Sequence, residues 1–238
     1  MTKDTYINIS QLRKTFRMGQ YMVHALAGID LQIPRGSLTV VMGPSGSGKS
    51  TLLYLLGGLD RPTGGKIFVD QASLDEMDEN ALALYRRKRV GFIFQSFNLV
   101  QTMNAQENVA FPMRFAGVPQ RVRKQRSQEL LTQVGLEKRA HHKPTELSGG
   151  QQKRVAVARA LVNDPELILA DEPTGNLDSS SGLGIMQLLA ELHQQGRTVL
   201  VVTHDPRMQH FATHTIYLLD GKVVDAAAYE ASTTTAFQ

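Results

Sequence analysis

The stretch Gly43-Pro44-Ser45-Gly46-Ser47-Gly48-Lys49-Ser50 decides how this chain is read. It fits the spacing G-x-x-x-x-G-K-S, and its flanks supply the context that this pattern requires. Before it, Leu38-Thr39-Val40-Val41-Met42 reads as a buried strand. After it, Leu52, Leu53, Leu55 and Leu56 fit a helix buried on most sides and stopped by Gly57-Gly58. A glycine-rich turn between strand and helix lets successive backbone N–H groups face inward around phosphate oxygens, backed by the positive end of the helix. Lys49 adds a point charge near the β- and γ-phosphates, and the Ser50 hydroxyl can ligate Mg²⁺. The pattern predicts a nucleoside triphosphate held by Gly43 to Thr51.

Further strands follow outward from that loop. Ile7 and Ile9 alternate with polar residues, as do Ile29, Leu31 and Ile33 before the turn Pro34-Arg35-Gly36. Val69 marks another strand, and Val90 to Phe94, Leu167 to Ala170 and Val199 to Val202 are continuous apolar runs. Such runs suit strands covered on both faces, and their alternation with helices implies an α/β fold with a mostly parallel sheet. The run Leu167-Ile168-Leu169-Ala170 ends in Asp171-Glu172. Strand ends of a parallel sheet face the same crevice as the phosphate loop, so Asp171 can reach the Mg²⁺ shell. Adjacent residues on a strand point to opposite sides, which leaves Glu172 to polarise the attacking water.

Between residues 97 and 163 the pattern is helical throughout, an insertion in the α/β core. Pro119 stands near a helix start, Val122, Leu130, Leu131 and Val134 line one side, and Gly135 ends the helix. Arg121, Arg123, Lys124 and Arg126 read as its solvated face, with a docking or lipid-headgroup role as the alternative. Leu147-Ser148-Gly149-Gly150-Gln151 offers a good N-cap followed by two glycines at the start of a helix running to Leu161, a second anion site in one chain. From Ala226 to Gln238 the chain is rich in Ala and Thr without a pattern, and a flexible tail is expected there.

The composition sets bounds on these readings. At 238 residues with 42% apolar side chains and 20% charged ones, the chain can bury a full core without staples. No cysteine is present, which removes thiol catalysis, cysteine zinc sites and iron–sulfur clusters. The net charge of +4 is too weak to argue for nucleic acid, and none is expected as a partner. No stretch approaches the length of a membrane helix, and the first residues lack a signal-peptide core.

Together, the phosphate loop, the strand-end carboxylates and Leu147 to Gln151 closely resemble the ATPase subunits of ABC transporters, over about residues 5 to 225. The resemblance implies ATP and Mg²⁺ as ligands, with one ATPase domain over 1–238. In it, 1–96 and 164–225 form a RecA-like α/β core with an antiparallel N-terminal portion, 97–163 a helical subdomain, and 226–238 the tail. It implies that Gln95 is a glutamine sensing Mg²⁺ and γ-phosphate, that Asp178 crosses a dimer interface, and that His204 holds the γ-phosphate. Metal ligands would be Ser50, Gln95 and Asp171, and the catalytic pair Glu172 and His204. Phe16 stands where the family stacks an aromatic ring under adenine; a core-packing Phe16, with Tyr21 or another residue under the base, is the alternative. Lys153, in Gln152-Lys153-Arg154, departs from the usual string after Leu147 to Gln151, which resembles the family's signature sequence, without an expected loss of activity.

The resemblance further implies a head-to-tail dimer in which Gly43–Thr51 of one copy and Ser148, Gly149, Gly150 and Gln151 of the other sandwich each ATP. Leu55 to Gly65, Glu107-Asn108-Val109 and Leu169 to Asp178 narrow the likeness to the LolD/MacB group. That group implies a separate four-helix permease of the MacB/LolC-E type, with or without a periplasmic adaptor. The ATPase would then lie at the cytoplasmic face of the bacterial inner membrane. The segment Ser96 to Gly117 would form the groove for the permease, with Phe97, Leu99, Phe111 and Phe115 as anchors or as core of the insertion. The alternative is a regulatory ATPase that controls a wall hydrolase or senses antibiotics without transport.

Overall fold

The computed structural model describes residues 5–235, with side chains to residue 232. Two compact units make up the chain, Met1–Ala83 with Leu200–Gln238, and Leu84–Val199. These units divide the chain at points other than the lobes read from sequence, because strands and helices on both sides of the insertion pack with it.

The first unit opens with a long hairpin. Strand β1 (Thr5–Met18) pairs antiparallel with β2 (Tyr21–Pro34). Ile7, Ile9, Ile29 and Ile33 are buried, as their alternation requires, while Leu31 is half-buried. β3 (Leu38–Met42) is buried at all five positions and leads into α1 (Lys49–Leu56), where the four leucines have at most 1% exposure. β4 (Gly64–Val69) and β5 (Ala72–Ser73) complete an antiparallel sheet of order β2-β1-β4-β5.

Helix α2 (Glu79–Arg89) leads into the second unit. There β6 (Val90–Ile93) precedes three helices without an intervening strand, α3 (Ala105–Phe115), α4 (Gln120–Gln133) and α5 (Gly149–Leu161). Pro119 is the N-cap of α4, and Gly135 lies just past its end at φ +74°. Leu130, Leu131 and Val134 are buried, but Val122 is 50% exposed, so the apolar side of α4 is shorter than its spacing suggested. β7 (Leu167–Asp171), fully buried, pairs in parallel with β6. α5 lies so close to β6 that a Cβ on Gly91 would stand 2.6 Å from the Ala160 carbonyl. α6 (Ser179–Gln194) closes the unit with Ile185, Met186 and Leu189 inward.

The chain returns through β8 (Thr198–Thr203), buried at all six positions, then β9 (His214–Leu219) and β10 (Lys222–Val224). In the first unit the strands run in the order β10-β9-β3-β8, with β3 and β9 parallel. Buried apolar strands paired in parallel and separated by helices give the expected α/β class.

The C-terminal stretch departs from the expected flexible tail. Residues Ala226–Thr235 form α7, and residues 236–238 of that expectation lie outside the described ones. Asp225 accepts a hydrogen bond from the Ala228 N–H at 2.7 Å, as an N-cap does. The Tyr229 ring stacks on Tyr217 of β9 at 4.8 Å between centroids. Alanines form helix without an amphipathic stripe, so the periodicity that reveals other helices is missing here.

Candidate functional site

The phosphate loop is built between the end of β3 and α1. Gly43, Ser47 and Lys49 are buried, while Pro44, Ser45 and Gly46 form an exposed rim. Gly48 is the N-cap of α1 at φ +100°, a conformation that side chains disfavour, and a Cβ there would lie 2.3 Å from the Ala25 carbonyl. The loop is thus pressed against β2. It is also fastened to the β9–β10 turn, since the Gly221 N–H donates to the Ser47 carbonyl at 3.1 Å. No side chain caps α1, and no acidic residue stands in its first turn. An anion there is met by backbone N–H groups and helix dipole, with no carboxylate in the helix's own first turn. Lys49 Nζ lies across the loop entrance, donating to the Gly43 and Pro44 carbonyls at 2.8 Å each. Ser50 and Thr51, in the first turn of α1, are half-buried.

Phe16 sits on the hairpin whose other strand touches the loop. It pairs with Val23, two residues from Ala25, and is 38% exposed, which removes the core-packing alternative. Lys14 Nζ lies 4.9 Å from its ring centroid. Tyr21, at the hairpin end, is 79% exposed. His204 follows β8 and is exposed. The turn behind it is stiff: the Asp205 N–H donates to Thr203 Oγ1, and the Asp205 carboxylate pairs with Arg207 through two N–H groups.

The second unit carries the remaining predicted residues. Asp171 ends β7 at 2% exposure, and Glu172 follows at 8% with φ +42°. A non-glycine residue held in the left-handed region costs about 1–3 kcal/mol and persists where the surroundings enforce it, which is common at functional positions. The Gly175 N–H donates to the Glu172 carbonyl at 3.0 Å. A Cβ on Gly175 would stand 3.7 Å from Glu172 Cβ and 3.8 Å from Gln95 Cγ, so this glycine is the small point where Gln95 and Glu172 converge. Sequence reasoning missed Gly175. Its one signal is a glycine three residues past Glu172, which follows the strand.

The signature forms the start of α5. Ser148 Oγ accepts from the Gln151 N–H at 3.3 Å, and Gln151 Oε1 accepts from the Ser148 N–H at 3.0 Å, a complete capping box. A Cβ on Gly150 would meet Ser181 Oγ at 2.6 Å, and one on Gly149 would touch Leu177 and Phe97. Asp178 caps α6, accepting from the Ser181 N–H at 2.9 Å. Hydrogen bonds from Ser181 lower its carboxyl below the ordinary range. Signature, Asp178 region and Gln95 segment are therefore neighbours within this unit.

Of the four apolar residues offered as permease anchors, Leu99 is core at 7% exposure and Phe97 is half-buried. Phe115, 67% exposed, meets Phe111 edge-on at 5.3 Å. Lys153, noted from sequence only as a departure, has no exposed surface. Burial pushes its ammonium down to about 8, with Asp171 pulling the other way.

The metal question turns on donor chemistry. Among the described residues no three His, Asp or Glu side chains form a metal cluster. Ser50 on the first unit and Asp171 on the second each carry an oxygen of the kind Mg²⁺ takes, an ion that needs only one or two protein oxygens and completes its shell from phosphates and water. Among the described residues, no helix is long and apolar enough to cross a membrane.

A strand–glycine loop–uncapped helix for phosphate, in an α/β chain with a strand-end acidic pair, defines a P-loop ATPase. The comparisons with known proteins narrow the class. Residues 26–175 match the family model described as ABC transporter. An uncharacterized ABC transporter ATP-binding protein of Thermotoga maritima is 49% identical over 210 residues, 88% of this chain and 90% of that protein. MJ0796 of Methanocaldococcus jannaschii, also an uncharacterized ABC transporter ATP-binding protein, is 47% identical over 222 residues, 91% and 94% of the two chains. A macrolide export ATP-binding/permease protein MacB of Hahella chejuensis is 47% identical over 93% of this chain, which spans only 34% of that protein. The dimeric post-hydrolysis structure of MJ0796 bound to ADP and Pi superposes with a TM-score of 0.86 at 45% identity, covering 92% of this chain and 97% of that one. The chain belongs to the ABC transporter family and is an ABC-type ATPase.

Proposed function

We propose that this chain binds Mg-ATP, dimerises head to tail around it, and by hydrolysing it drives a separate membrane permease of the MacB/LolC-E type. The observation that carries the reading is the pairing, in one chain, of an uncapped helix behind a glycine loop with the capped signature helix Gly149–Leu161. Each is a phosphate-binding surface, and two copies placed head to tail supply both to each nucleotide. MJ0796 has been solved as a dimer and with ADP and Pi, and MacB is named as a macrolide export ATP-binding/permease protein, which supports the same reading here.

In this assignment the N–H groups of Gly43 to Thr51 and Lys49 hold the phosphates, with Phe16 against adenine. Ser50, Asp171 and Gln95 hold Mg²⁺, whose chemistry is to neutralise charge on the β- and γ-phosphates. Glu172 is the general base that accepts a proton from water, and His204 orients the γ-phosphate. Asp178 and Ser148 to Gln151 act at the face of the second copy. The chain is peripheral to the cytoplasmic face of the inner membrane through its permease, for which Phe111 and Phe115 supply an apolar edge. A four-helix permease and a periplasmic adaptor complete the assembly.

The test is Glu172→Gln. It should bind ATP normally, turn over about 10²–10⁴-fold more slowly and accumulate as an ATP-bound dimer in size-exclusion chromatography. Near-normal hydrolysis by that variant would remove Glu172 from its role.

A further inference from the structure

Beyond β6, the segment that carries Gln95 is held from one side by side chains of the signature helix. Lys153 Nζ donates to the carbonyls of Phe94 at 3.0 Å and Gln95 at 2.8 Å. Arg159, six residues on, donates to the carbonyls of Phe97 at 3.0 Å and Asn98 at 2.6 Å. Four of five successive carbonyls are thus bound to α5. The Phe97 ring closes the arrangement, 5.1 Å from Lys153 Nζ at its centroid and touching the position of a Cβ on Gly149. The main chain of Gln95 is fixed to α5 while its side chain reaches toward Gly175 and Glu172.

A lysine with no exposed surface is rare unless its charge is answered. Here two carbonyl oxygens and an aromatic face answer it, with Asp171 adding attraction. An apolar side chain of equal length would avoid desolvating an ammonium, so packing alone does not call for lysine at this position. What lysine adds is two directed bonds to the loop backbone, five residues after the Ser148 cap of the signature.

We propose that Lys153 is a positioning residue that straps the Gln95 segment to the signature helix, so that a shift of Gln95 at the nucleotide is carried directly to Ser148–Gln151. The strap rests on the assignment of Gln95 to the ATP site. It makes two predictions that a purely structural lysine does not: the loss on removing it appears in turnover rather than in ATP affinity, and it disappears when Gln95 is absent.

The experiment measures kcat, ATP dissociation constant and thermal midpoint on the full chain for wild type, Lys153→Met, Lys153→Gln, Gln95→Ala and the two double variants. Lys153→Met removes both donors while keeping the stem. It should lower kcat by roughly 10- to 100-fold, the scale of a misplaced site group, with ATP affinity held within about threefold. Lys153→Gln retains one N–H donor pair and should recover part of that rate. In the Gln95→Ala background, Lys153→Met should change kcat by less than about twofold, because both act through one group. A folded Lys153→Met protein with wild-type kcat, a loss that multiplies with that of Gln95→Ala, or a loss confined to ATP affinity would each overturn the strap. Should Lys153→Met fail to fold, the same cycle with Lys153→Gln decides on the same criteria. A wild-type chain that hydrolyses no ATP would instead overturn the ATP-site reading, and the strap with it.

Discussion

Replacing Gly48 by alanine probes how the phosphate loop is supported, with Gly46→Ala as its internal control. Both glycines lie at positive φ, +100° and +82°, so each alanine carries the left-handed penalty of about 1–2 kcal/mol. They differ in surroundings. A Cβ on Gly46 meets nothing within 4 Å, whereas one on Gly48 would lie 2.3 Å from the Ala25 carbonyl and 2.9 Å from Leu26 Cδ2. The carbonyl belongs to strand β2 and has no torsion by which to escape, so loop and strand must separate by about an ångström, an overpacking cost of roughly 1–3 kcal/mol. Gly48→Ala is therefore expected to lose about 2–5 kcal/mol in all and to melt several degrees below Gly46→Ala, at roughly 2–4 °C per kcal/mol for a chain of this size. Scanning calorimetry of the two variants beside wild type reads the difference. Equal midpoints for Gly46→Ala and Gly48→Ala would show that β2 does not press on the loop and would refute the reasoning.

Asp178→Ala should lower the thermal midpoint by removing the cap of α6. Because the folded carboxyl is held below its ordinary value, the wild-type advantage over this variant is full above about pH 4 and fades as pH falls through the lowered folded value; calorimetry of both proteins across acidic pH checks the sign. Tyr229→Ala removes the stack on Tyr217 and should loosen α7 by about 0.5–1.5 kcal/mol, seen as faster limited proteolysis near residue 226 with the main transition nearly unmoved. Phe115→Ala, on a residue 67% exposed, should shift stability by no more than about 0.5 kcal/mol while reducing recovery with the proposed permease; undiminished co-purification would clear Phe115 of docking.

Much of the architecture was legible because it follows from short-range rules. Continuous apolar runs marked β3, β7 and β8, buried at every position, since a strand covered on both faces has no polar side to show. Ser148 read as a cap because the requirement it meets, an open N–H at a helix start, lies three residues away. α7 was missed for the converse reason: alanines give helix without periodicity. Val122 carried the right spacing but lies half exposed. Leu99 and Phe115, alike in sequence as apolar anchors, went to opposite environments, core and surface.

The sequence by itself determined that a phosphate loop stands between a buried strand and a helix, that two carboxylates end a second strand, and that a capped glycine-rich helix follows the insertion. Each is a contiguous string whose chemistry is local, so its residues need no partner to be recognised. The tertiary structure alone decided that the Ala25 carbonyl closes on Gly48, that Gly175 lies where Gln95 and Glu172 meet, and that Lys153 and Arg159 bind the carbonyls of the Gln95 segment. A backbone carbonyl is the same acceptor at every residue, and no side-chain pattern announces which one a distant lysine will reach. That choice is made by packing, when α5 comes down on β6 and brings a buried ammonium against those oxygens.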